Sequence, residues 1–153
     1  MQEEVFYRNN RMSWRLESAL DDFDTYEEFE KRFSDEFLNE DSKIGDYLDE
    51  LLVKYDKRAA AVSKNAGLSI PYVGNIINHK KNNPSRDVLI AICFAIGTTF
   101  EEAQYLLKYA GHAPLYVRRK RDVIIWFGLM KQQDIYTVNE ELIERGLRPL
   151  IKE

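Results

Sequence analysis

Six Lys or Arg side chains stand in residues 57–86, KRAAAVSKNAGLSIPYVGNIINHKKNNPSR, with no acidic residue among them. The rest of the chain is acidic. Its first 56 residues hold 7 basic and 17 acidic side chains, whereas residues 57–153 hold 15 and 9. A basic stretch inside an acidic protein (formal net charge −4) suggests contact with a polyanion, because clustered cations concentrate and hold phosphate-bearing partners. Arg118, Arg119, Lys120 and Arg121 form a second basic knot.

Other reactive groups are sparse. Asp21, Asp22 and Asp24, with Glu27 and Glu28, lack the loop glycine, the EF-hand spacing or the accompanying His of a cation site, so they read as a solvated acidic face. One Cys and two His cannot build a zinc site of the usual kind. Cys93, inside VLIAICFAI, reads as a small buried hydrophobe. His79 and His112 are isolated, and no P-loop, GxSxG or zinc signature occurs. These observations point to a protein without catalytic residues, metal or cofactor. No apolar run approaches the ~20 residues that span a bilayer, and the N-terminal MQEEVFYRNNRMSW lacks a signal-peptide core, so a cytoplasmic location is expected.

The elements that would carry the basic stretch have helical period throughout. SWRLESAL is a short candidate helix, and Thr25 with Glu28 has capping-box spacing. Tyr26, Phe29, Phe33 and Phe37 then fall on one aromatic stripe. Ser42 is expected to cap a helix whose apolar face is Ile44, Tyr47, Leu48, Leu51, Leu52 and Tyr55. Asp56 is expected to cap the next, which runs to Ala66 and stops at Gly67. Ser69 is expected to cap a helix from Ile70 to about Asn78, and HKKNNP breaks the pattern as a loop. Ser85 and Gly97 bound VLIAICFAI; Thr99 with Glu102 opens EEAQYLLKYA, which Gly111 closes.

Residues 86–115 align without gaps on residues 121–150, at an offset of 35, with eight identical pairs: Arg86/Arg121, Asp87/Asp122, Val88/Val123, Ile90/Ile125, Leu107/Leu142, Gly111/Gly146, Pro114/Pro149 and Leu115/Leu150. Both copies read helix, turn, helix, glycine, proline, which implies a duplicated helical hairpin whose second copy packs on the first.

Helix, glycine turn, helix over 57–78 is the geometry of a helix–turn–helix, with Val62, Ala66, Leu68, Val73 and Ile76 facing a core shared with Leu51, Leu52, Leu89, Ile92 and Cys93. Through VSKNAGLSIPYVGNIINHKKNNPS and VLIAICFAIGTTFEEA, residues 44–110 resemble the XRE or λ-repressor-like family. The resemblance implies a five-helix domain, a homodimer and double-stranded DNA as partner, with the recognition helix 69–78 in the major groove. It implies base contacts from the residues opening that helix. Here these are Ile70, which could touch a thymine methyl, and Pro71, with Asn75 able to pair bidentately with adenine. Lys57, Arg58, Lys64, Ser69, Tyr72, Lys80 and Lys81 are the phosphate candidates. The sequence departs from the family at Ala59, where Gln is usual, at the apolar Ile70 and Pro71, and at His79, where Gly is usual.

The expected architecture is therefore all-α: a λ-repressor-like helix–turn–helix core over 44–110, an acidic helical N-terminal arm over 1–43, and a C-terminal hairpin over 111–153 that repeats 86–115. The expected role is a DNA-binding transcriptional regulator making mainly phosphate contacts. The alternative is a helix–turn–helix scaffold serving as a protein-interaction or antitoxin-like adaptor module, with the acidic arm engaging a protein partner.

Overall fold

Every regular element in the residues described by the computed structural model, 13–37, 43–81 and 83–152, is helical. The chain divides into two units, 1–42 and 43–153. In the first, α1 (Ser13–Ala19) runs into a 3-10 turn, and α2 (Tyr26–Phe33) starts where Thr25 Oγ1 accepts the Glu28 N–H at 3.2 Å. The aromatic stripe divides: Phe29 and Phe33 are buried, while Tyr26 and Phe37 are exposed. Phe23, on no helix, supplies the missing ring, edge-on to Phe29 at 5.4 Å and to Phe33 at 5.8 Å. Asp21, Asp22 and Asp24 are exposed, as a solvated face requires.

The second unit holds α3 (Ile44–Lys54), α4 (Ala59–Asn65), α5 (Tyr72–Ile77), α6 (Arg86–Ile96), α7 (Phe100–Tyr109), α8 (Lys120–Met130) and α9 (Ile135–Glu144). Its caps follow the sequence in three places: Ser85 accepts the Val88 N–H, Thr99 and Glu102 form a reciprocal box, and Gly97 takes a left-handed turn at φ 87°. Two expected caps are corrected. Asp56 does not begin α4; it adopts φ 52° and ends α3, a conformation that a short polar side chain tolerates. Ser69 does not begin α5 either. Pro71 disfavours helical backbone at Ile70, so Ser69–Pro71 form a turn and regular helix starts at Tyr72. The expected Ser42 cap lies outside the described residues.

The core is the expected one, with Val62, Ala66, Val73, Ile76, Leu51, Leu52, Leu89, Ile92 and Cys93 all buried; Leu68 is half-buried. Burial pushes the Cys93 thiol up to about 12, so it is an inert hydrophobe here.

The duplicated hairpins pack as a pair. α6 contacts α7 and α9, and α8 contacts α7 and α9, so each copy's first helix touches the other's second. Arg86 donates to both Asp122 oxygens at 3.1 and 2.9 Å and to the carbonyls of Ala113 and Pro114. Arg121 donates to both Asp87 oxygens at 2.9 and 3.1 Å and to the carbonyls of Arg148 and Pro149. Each bond maps onto its counterpart at the offset of 35. Gln104 brackets the backbone of Leu115, and its counterpart Asn139 brackets Leu150 and Ile151. The N-caps Thr99 and Asp134, and the left-handed turns at Gly97 and Gln132 and at Gly111 and Gly146, also correspond.

Asp122 is 3% exposed, so its loss takes the counter-charge from Arg86, which keeps only its carbonyl bonds, and the acceptor from the Tyr116 N–H. Asp122→Ala should cost about 2–3 kcal/mol in urea unfolding, below the ~3–5 kcal/mol of a fully buried pair because Arg86 keeps some solvent. Arg145→Ala, which removes only a surface i,i+4 pair, should stay within about 0.5 kcal/mol. The bond from the Thr137 N–H holds the Asp134 carboxyl below its usual range. A lowered folded-state pKa gives stability that is present above the unfolded value and lost as pH falls through the folded one. The melting temperature of wild type should therefore exceed that of Asp134→Ala at neutral pH, and the gap should close on acidification below about pH 4.

Candidate nucleic-acid interface

The α4–α5 pair is fixed from inside by a serine. Ser63 is fully buried; its hydroxyl donates to the Ala59 carbonyl and accepts the Val73 N–H, both at 2.9 Å. Val73 N–H is one of the orphan donors in the first turn of α5, so α4 caps α5 through this side chain. Gly67 makes the turn between them at φ 74°. Behind α5, Gly45 lies so close to the Ile76 carbonyl that a methyl group there would collide with it, which lets α3 and α5 pack backbone to backbone.

α3 is anchored in turn to α7 through Glu102, whose side chain is fully buried. Glu102 accepts the Thr99 N–H and the Tyr55 hydroxyl on one oxygen and Lys54 Nζ at 2.8 Å on the other. Burial and this carboxylate hold the neighbouring Tyr47 phenol far above its usual range.

On this frame the expected contact residues divide by exposure. Lys57, Arg58, Lys64, Ser69, Lys80 and Lys81 are exposed, as are Ile70 (62%) and Pro71. Tyr72 and Asn75 are half-buried. Lys81 Nζ sits 4.5 Å above the Tyr72 ring, joining the loop to the first residue of α5. Among the described residues no ion pair engages Lys57, Arg58, Lys64, Lys80 or Lys81, and no hydrogen bond holds the side-chain amide of Asn75. Arg86, the sixth cation of the acid-free stretch, is committed to Asp122 and leaves the surface set. Arg121 likewise leaves the second knot, whereas Arg118, Arg119 and Lys120 remain exposed.

His79 fills the place where the family resemblance expects glycine, and it adopts the glycine conformation, φ 64°. Beyond it the N–H groups of Lys80 and Lys81 both point at the Asn75 carbonyl, at 2.8 and 3.1 Å, which sets the direction of the basic loop. His79 Nε2 lies 3.5 Å from Asp46, so one carboxylate of α3 borders a surface that is acid-free in sequence.

Ser63, Gly45 and the exchanged Arg–Asp pairs are what sequence reading missed. The pairs had a visible signal, since Arg-Asp opens both copies of the repeat. Ser63 and Gly45 had none, because the α5 groups they support, the Val73 N–H and the Ile76 carbonyl, lie on another helix.

Compared with protein-family models, characterised proteins and solved structures, the chain matches none of them.

Ser63→Ala should leave the Val73 N–H buried without an acceptor, at a cost of about 1–3 kcal/mol. Urea unfolding measures the loss. Faster hydrogen exchange at Val73 than at core amides of α6 would locate it at the α4–α5 junction.

Proposed function

We propose that residues 44–110 form a helix–turn–helix module of XRE type that binds double-stranded DNA as part of a non-enzymatic regulator. Helices α3–α7 are the five helices of that reading. The packing of α4 on α5, α3 on α5, α4 on α6, α6 on α7 and α3 on α7 supports it. The observation that carries it is the set of five exposed cations free of ion pairs among the described residues, flanking α5 while the other cation of the stretch is consumed internally. On this reading Lys57 and Arg58 just ahead of α4, Lys64 on it, and Lys80 and Lys81 from the loop hold phosphates, with the Ser69 and Tyr72 hydroxyls adding neutral bonds. The Ile70 side chain meets a thymine methyl and Asn75 an adenine edge, with Pro71 fixing the turn that presents them.

A second reading, a protein-interaction or antitoxin-like adaptor, draws support from Ile70 and Pro71. They form an exposed apolar step where a base reader would carry donors or acceptors.

Fluorescence anisotropy with a random duplex distinguishes the two. Binding should appear at micromolar protein in low salt and weaken as salt rises, with a log–log slope near −4.5 for five neutralised phosphates. Lys80→Ala should flatten the slope by about 0.9 and weaken all sequences alike. Asn75→Ala should cost about 1–3 kcal/mol at one adenine of a selected site. Absence of binding to any duplex at low salt would leave the adaptor reading.

A further inference from the structure

In a two-fold dimer, residue i of one subunit meets residue j of the other, and j meets i. The duplicated hairpins reproduce this relation within one chain. Arg86 meets Asp122 while Arg121, its counterpart, meets Asp87, and the order of helix contacts has the same two-fold form. The face by which such a hairpin would pair with another copy is therefore already filled.

The two copies differ on the opposite side. In the first copy this side carries α3–α5: Ile96 is buried, Glu102 binds Lys54 and Tyr55, and the rings of Tyr105 and Tyr109 lie 5.0 and 6.0 Å from Tyr47. At the offset of 35 the second copy has Lys131, Thr137, Glu140 and Glu144, all exposed. Four positions that hold a helix–turn–helix in one copy are made for water in the other. The second hairpin thus keeps the pairing face, while its opposite side is polar at these four positions and leaves Phe127, the counterpart of buried Ile92, 53% exposed with none of α3–α5 upon it.

We propose that the C-terminal hairpin stands in for the second subunit of a two-fold dimer, so that the chain acts alone, with one recognition helix on one unrepeated duplex element. This replaces the homodimer implied by the family resemblance. Its DNA arm rests on the duplex-binding reading above; its protein arm does not.

Sedimentation equilibrium of the whole chain at micromolar concentrations should give the single-chain mass of 18.0 kDa. A two-chain particle overturns the proposal. Reversing the second copy's dipeptide, Arg121→Asp with Asp122→Arg, sets like charge against Arg86 and Asp87 and releases the first copy's pairing face. The variant should then gain a concentration-dependent two-chain species. If circular dichroism shows it folded and it stays a single chain, the stand-in role is wrong. Selection of wild type on a random duplex library judges the proposal independently of how that variant folds. One unrepeated element bound by one chain supports it, and an inverted repeat with half-sites about 10 base pairs apart overturns it. Failure to bind any duplex removes the duplex reading alone, and the mass measurements still decide the role of the hairpin.

Discussion

The paired guanidinium–carboxylate exchange between the two hairpins is the constraint on which the larger unit depends. Each guanidinium has a planar fork of donors, and each fork is used in two directions: across to the other copy's Asp and back to the carbonyls that close its own hairpin. One side chain therefore fixes both the closure of a hairpin and its register against the other. Sliding one copy by a residue would break both exchanges and leave Asp122 buried without a counter-charge. Apolar packing between α6–α9 would tolerate several registers of similar area; a bidentate pair does not.

The α4–α5 pair rests on this frame from behind. The tail held by Asn139 brings Ile151 against Gly67, where an added Cβ would lie 3.3 Å from its side chain, so the second hairpin reaches the turn between α4 and α5. From the other side Gly45 sets the depth of α5 and Glu102 ties α3 to α7. The exposed residues at the start of α5 thus stand on buried, fully bonded neighbours. Ser63 is the link, since its hydroxyl spends its donor inside α4 and its acceptor on α5. A surface meant to meet a rigid partner gains from such support, because less ordering remains to be done on binding.

Much of this was legible in the chain. Local rules sufficed for Thr25, Ser85, Thr99 and Gly97, whose caps and turns depend on residues three or four positions away. The duplication was legible because two copies sample the same pattern twice. Local rules failed where two compete: Asp56 is a good cap and also tolerates a left-handed turn, and the end of α3 took the second use. At Ser69 the cap signal lost to Pro71, two residues on. The candidate site was legible in charge but not in support, since Ser63 and Gly45 matter only through partners 10 and about 30 residues away. Nor does a count of cations reveal that Arg86 is spent inside the fold.

That last distinction bears on what the proposed interface does with a duplex. Five exposed cations without ion pairs among the described residues, with two hydroxyls, would give the proposed interface an affinity largely blind to sequence and sensitive to salt. Discrimination has fewer sources. One bidentate amide is worth about 1–3 kcal/mol against a wrong base, roughly a factor of 5 to 150. A methyl contact from Ile70 adds less. In a dimer each such term would count twice, because both half-sites are read. A chain whose second subunit is built in, without a second recognition helix, counts each once. Specificity beyond that has to come from the shape and stiffness of the duplex under the phosphate contacts. The exposed, rigidly seated step of Ile70 and Pro71 is suited to sensing groove shape, since it offers volume rather than hydrogen bonds.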